Sequence, residues 1–112
     1  MTLEQLVREL NLRVICCEDN LARKIDGGYV GDLLSDVIAN SKEGDLWITR
    51  QSHQNIVAVA SLREHAAIVL AQGKMPDEDT TEKANREGIP ILVTDLPGFE
   101  IAGEVYALLK PS

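Results

Sequence analysis

Arg50-Gln51-Ser52-His53-Gln54-Asn55 is the most chemically equipped run of the chain, with a guanidinium, an imidazole, a hydroxyl and three amides in six residues. Ser52 and His53 are adjacent, a spacing that does not make a nucleophile and base, and an orienting carboxylate would have to come from another loop, such as Asp95. Ser52 then reads as a cap for the next helix, and His53 as a ligand contact or a solvated first-turn side chain. Cys16, Cys17, His53 and His65 show neither C-x-x-C nor H-x-x-x-H spacing, and vicinal cysteines in a strand should face opposite sides, so no metal is implied. Asp77-Glu78-Asp79 lacks the alternation and terminal glutamate of a calcium loop and reads as charge favourable to a helix start. Gly27-Gly28-Tyr29-Val30-Gly31-Asp32 invites a phosphate-loop reading, yet no Gly-Lys-Ser/Thr follows and G-x-G-x-x-G is not met, which leaves a tight structural turn.

These residues sit in a repeated grammar. Leu46–Thr49, Ala67–Leu70 and Ile91–Val93 are apolar strand-like runs, and each ends in a polar loop that opens a helix. Three consecutive strand–loop–helix units predict a three-layer α/β/α sandwich with a mainly parallel sheet of about four to five strands. The loops at the carboxyl ends of parallel strands gather on one edge, so 49–54, 71–76 and 94–98 should be neighbours, and any ligand should bind there. The candidate binding residues are Thr49, Arg50, Gln51, His53, Gln72, Lys74, Thr94 and Asp95, with Arg50 and Lys74 as the basic pair.

Around this frame, Thr2 and Gln5 form a capping box for a helix over Leu3–Leu10, and Leu12–Cys17 reads as a first strand. Asp32 is the expected N-cap of a helix with Leu33, Leu34, Val37 and Ile38 inward. A helix over Gln54–Glu64 should bury Ile56, Val57, Val59, Ala60 and Leu62. Asp79 with Glu82 should cap an outer helix that ends at Gly88, and Pro97–Leu109 should bury a stripe of Phe99, Ile101, Ala102, Val105, Tyr106 and Leu109. The 112 residues, 45% hydrophobic, are expected to form a single domain over 1–112. A net charge of −7 with scattered basic residues argues against nucleic acid or an anionic membrane surface as partner. The start is a capped helix and not a signal sequence, and the cysteines suit a reduced, cytoplasmic setting.

The order of elements resembles the DRTGG domain and, more distantly, the N-terminal domain of HPr serine kinase/phosphorylase. The resemblance covers about Gly27–Leu109 and rests on Gly27-Gly28, Gly44-Asp45 before a strand ending Ile48-Thr49, the step from Ile68 to Gly73, and Gly88-Ile89-Pro90-Ile91-Leu92. Where the family motif has its Asp-Arg, this chain has Ser52-His53-Gln54-Asn55. Where the motif has Thr-Gly-Gly, it has Ala71-Gln72-Gly73. The resemblance implies an accessory unit, such as those attached to phosphotransacetylases or to nucleotide-sensing CBS modules of pyrophosphatases. No kinase activity is implied, because the Walker loop of the kinase relative lies in a domain this chain does not match.

Three readings follow. The first is a non-catalytic regulatory or ligand-sensing domain that needs no cofactor and binds a small anionic metabolite or nucleotide at the carboxyl-end loops. The second is an assembly module that pairs as a homodimer or with another protein. The third is a small hydrolase using His53 and Asp95.

Overall fold

A computed structural model describes residues 1–110. The elements are α1 (Leu3–Leu10), β1 (Arg13–Cys16), a 3-10 turn (Glu18–Asn20), β2 (Gly27–Val30), α2 (Leu34–Asn40), β3 (Asp45–Thr49), α3 (Asn55–Leu62), β4 (Ala67–Leu70), α4 (Glu78–Glu87), β5 (Ile91–Val93) and α5 (Gly98–Leu109). They form one five-stranded sheet of order β1-β5-β4-β3-β2, in which β2 to β5 run parallel and β1 pairs antiparallel with β5. Each crossover from β2 to β5 passes through one helix, as parallel pairing requires. The chain is thus an α/β protein with a mainly parallel sheet between two helical layers. Among the described residues no helix is long and apolar enough to cross a membrane.

Sheet alternation sorts the core into two faces. Leu46, Ile48, Ala67, Val69 and Leu92 pack under α1 and α5, which contribute Leu3, Leu6, Ile101 and Val105. Trp47, Ile68, Leu70, Ile91 and Val93 pack under α2, α3 and α4, which contribute Val37, Ile56, Val57, Val59, Ala60 and Ala84. On this second face Trp47 is fully buried, and its indole N–H donates to the Gly31 carbonyl at 2.9 Å. Its ring meets His65 edge-on at 5.6 Å between centroids. Buried His65 shares a 2.8 Å hydrogen bond between Nε2 and the Ser41 hydroxyl, and burial pushes its pKa down.

The Thr2–Gln5 capping box forms as expected, and Gly88 ends α4 in the left-handed conformation with φ of 71°. Other local expectations are corrected. Asp32 does not cap α2: Leu33 is the N-cap residue and no side chain caps there. Neither Ser52 nor the Asp79–Glu82 pair caps a helix, since α3 follows Gln54 and α4 follows Asp77, both without side-chain cap bonds. Cys16 and Cys17 do not face opposite sides. A register irregularity between Val14 and Cys16, followed by Cys17 at φ of 64°, turns Ile15, Cys16 and Cys17 onto the same core face. Burial raises the Cys16 thiol and, with neighbouring Cys16 and Asp19, pushes Cys17 up to about 12, so both remain protonated at neutral pH.

The helical stripes are narrower than expected. Leu33, Ile38 and Leu62 are exposed, and so are Phe99 (91%) and Tyr106 (68%) on α5. In each case the residue lies past the arc that touches the sheet, whose width is set by the neighbouring helices rather than by the residue's own hydrophobicity.

Candidate functional site

The carboxyl ends of β2, β3, β4 and β5 share one edge, and the loops that leave them are tied into a continuous network. Asp32, just beyond β2, is its hub. One carboxylate oxygen accepts from the Thr49 hydroxyl at 2.7 Å and from the Arg50 amide at 2.9 Å. The Asp32 carbonyl accepts from the Gln51 side-chain amide at 2.9 Å. Desolvation works to raise the Asp32 carboxyl, but the Arg50 amide, the Thr49 hydroxyl and the Arg50 charge together outweigh it and hold the group below its ordinary value.

One strand further on, the Lys74 amide donates to the Ala71 carbonyl across a turn with positive φ at both central residues, 58° at Gln72 and 68° at Gly73. A side chain at Gly73 would meet the Asp95 carboxylate 3.1 Å from its Cβ as well as the left-handed backbone, so this position requires glycine. Glutamine rarely adopts such a backbone, and the surrounding bonds over-determine it. The Gln72 amide donates to Leu96 and the Gly73 amide to Thr94, at 2.9 and 2.8 Å, while the Ala71 amide donates to Thr49.

The place where a ligand should fit shifts as a result. After β4 the chain turns to the α2–α3–α4 face, and after β5 to the α1–α5 face, so the crevice of a doubly wound sheet belongs between these two loops. The Gln72–Leu96 and Gly73–Thr94 backbone bonds close it. The open space lies one strand over, as a hollow of about 260 Å³ lined by Arg50, Ala71, Gln72 and Lys74. There Arg50 Nη1 donates to Gln72 Oε1 at 2.6 Å, which leaves the remaining guanidinium donors free. Among the described residues the only ion pair is Arg8–Glu4, so neither Arg50 nor Lys74 is neutralised by a carboxylate contact.

Of the eight residues expected at this edge, the fold brings Arg50, Gln72 and Lys74 around the hollow. Thr49 and Thr94 are buried, and the Thr94 hydroxyl accepts from the Leu96 amide. Gln51 is engaged with Asp32, and exposed Asp95 lies against Gly73. His53 Nδ1 accepts from the Asn55 amide at 3.3 Å, and no hydrogen bond joins His53 to Asp95 among the described residues. Among those residues no three His, Cys, Asp or Glu side chains cluster so as to hold a metal. Two residues of the edge were not expected. Asp32 has the composition of a cap, but Gly27–Val30 is a strand with its own carboxyl-end loop and not the tight structural turn its glycines suggest. Arg13, paired with Val93, adds a third basic residue because β1 runs antiparallel and begins where its neighbour ends.

The chain matches the DRTGG domain over residues 5–108. No curated protein sequence matches it. Among solved structures it is similar to the CBS and DRTGG domains of the regulatory region of Clostridium perfringens pyrophosphatase, a structure complexed with the activator diadenosine tetraphosphate. The TM-score is 0.71 at 16% identity, covering 98% of this chain and 47% of that one. The chain therefore spans about half the length of that regulatory region, and the likeness establishes a shared fold. With the family match running through every strand of the sheet and the loops of the carboxyl-end edge, the chain belongs to the DRTGG domain family.

Proposed function

We propose that this domain is a non-catalytic regulatory module that senses a small anionic ligand in the hollow between the β3 and β4 loops. The observation that carries the reading is the convergence of Arg50 and Lys74, neither of whose side chains forms a salt bridge among the described residues, on one hollow whose third polar wall is Gln72. In this reading Arg50, Lys74 and Gln72 contact the ligand, while Thr49, Gln51, His53, Thr94 and Asp95 hold the loops that present them. Local charge governs binding in a cleft, so a net charge of −7 is compatible with anion capture. The volume sets the scale: about 260 Å³ lies below the usual range for whole drug-sized ligands, so the hollow takes a phosphate-sized group and leaves the rest of a nucleotide outside.

Support for a sensing role comes from family membership and from the similarly folded pyrophosphatase regulatory region, whose ligand is a nucleotide polyphosphate. Support for the absence of catalysis comes from the site's chemistry. The imidazole nearest the edge is bonded to its own loop, and among the described residues no hydrogen bond joins it to Asp95.

Thermal denaturation with inorganic phosphate, pyrophosphate, ATP and diadenosine tetraphosphate tests the proposal. A ligand at a hundred times its dissociation constant stabilises by about 2.7 kcal/mol, a shift of about 10 °C for a domain of this size. The expected result is such a shift with at least one of the four, lost in Arg50→Ala and Lys74→Ala. No shift, or the same shift in both variants, overturns the site.

A further inference from the structure

The end of β1 departs from regular strand geometry in two ways. Its register against β5 shifts between Val14 and Cys16, and Cys17 then takes the left-handed backbone, φ 64° and ψ 43°, which a residue with a β-carbon adopts when its surroundings impose it. The imposing bonds are in place: the Asn20 amide donates to the Cys17 carbonyl at 2.9 Å, and the Asn20 side chain donates to the Gly88 carbonyl at 2.7 Å. Two adjacent thiols that alternation would send to opposite faces are thereby aimed at one segment, the carboxyl end of α4 and the start of the loop beyond it. Cys16 Sγ lies 3.6 Å from the Ile89 carbonyl oxygen, and Cys17 Sγ lies 3.4 Å from that of Ala84. Both cysteines are free thiols, and both line a cavity of about 730 Å³ that exposed Glu18 and Asp19 also border.

We infer that Cys16 and Cys17 form a two-coordinate site for a soft monovalent cation of the Cu(I) class, entered through this cavity. The donor set selects the ion. Thiolates prefer soft metals, whereas structural zinc takes four ligands, and among the described residues no third His, Cys, Asp or Glu side chain joins the pair. Glu18 and Asp19 place negative charge beside the thiols, which raises the local concentration of a cation. Binding exchanges protons for metal: two S–H bonds break, two S–metal bonds form, both protons leave to solvent, and no oxidation state changes. Burial holds both thiols in the protonated form at neutral pH, which keeps the pair unreactive toward oxidants until an ion displaces the protons.

Anaerobic titration of the reduced chain with Cu(I) against the chromophoric chelator bicinchoninate, with Cys16→Ser, Cys17→Ser and Cys17→Gly as variants, tests the inference. The native chain should withdraw one ion, release two protons and show two sulfur neighbours by X-ray absorption at the copper edge, with an affinity that rises with pH. Each variant should bind at least about a hundredfold more weakly, since losing a ligand costs more than the roughly ten- to hundredfold of an outer-shell change. Glycine suits the left-handed backbone at position 17, so Cys17→Gly should keep the fold by thermal melting and circular dichroism while losing the metal. Arg50→Ala should bind Cu(I) as the native chain does, which separates this site from the anion hollow. No withdrawal of copper from the chelator, one proton or one sulfur per ion, or binding that survives the loss of either cysteine overturns the inference.

Discussion

The two faces of the sheet are built to different standards. Under α2, α3 and α4 three helices cover the layer, Trp47 fills its centre, and the Trp47–Gly31 and His65–Ser41 bonds engage the indole N–H and His65 Nε2, while buried His65 Nδ1 has no partner among the described residues. Under α1 and α5 the layer has two helices and no buried aromatic, and it leaves Val30 54% exposed beside an open groove. One face fixes the strands from which the loops of the edge depart. The other leaves Val30, Phe99 and Tyr106 exposed around that groove.

That contrast can be broken by mutation. Trp47→Ala should have the largest effect, about 3 to 5 kcal/mol in urea denaturation, because it opens a cavity in the three-helix layer and orphans the Gly31 carbonyl. Ile101→Ala on the other face should cost less, and an equal or reversed order would erase the distinction. His65 sharpens it through pH. Its folded pKa is depressed by burial, so the unfolded chain takes up a proton first as pH falls below the unfolded value near 6.5. Stability is full above that value and declines toward the folded pKa with a slope of at most about 1.4 kcal/mol per pH unit, a dependence His65→Gln should abolish.

Asp32→Ala comes next, at about 1 kcal/mol, since it removes the acceptor for the Thr49 hydroxyl and the Arg50 amide in a partly solvated place. The Asp32 carboxyl is depressed in the folded state, so its contribution is present above the unfolded carboxylate range and is lost as pH falls below it. Phe99→Ser should be smallest, within about half a kcal/mol for the monomer's stability, because its ring touches little of its own chain. A large loss there would mean that the ring belongs to the core.

The sequence shows the sheet plainly, since each of 46–49, 67–70 and 91–93 is a continuous apolar run closed by polar residues, a pattern that short strands covered on both faces produce. It shows much less of what loops do after they leave the strands. Asp32 has the composition of a cap and a position next to β3, and only the second decides where its carboxylate goes. Cys16 and Cys17 obey alternation until a register break that no residue type announces. Phe99 and Tyr106 are apolar and lie on an amphipathic helix, yet the arc they occupy faces away from the sheet, because burial depends on what packs opposite. Arg50 and Lys74 were legible as a pair because both follow strand ends. The closing of the β4–β5 crevice was not, since it is made by backbone amides that every sequence carries.

The most direct measurement is residue-by-residue mapping of amide resonances in the labelled chain during titration with pyrophosphate and diadenosine tetraphosphate. The account predicts saturable perturbations confined to Arg50–Gln54, Ala71–Lys74 and the adjoining Asp32, absent in Arg50→Ala, with α5 unaffected by ligand. Perturbations that gather along α5 and β2, or none at saturating ligand, would contradict it.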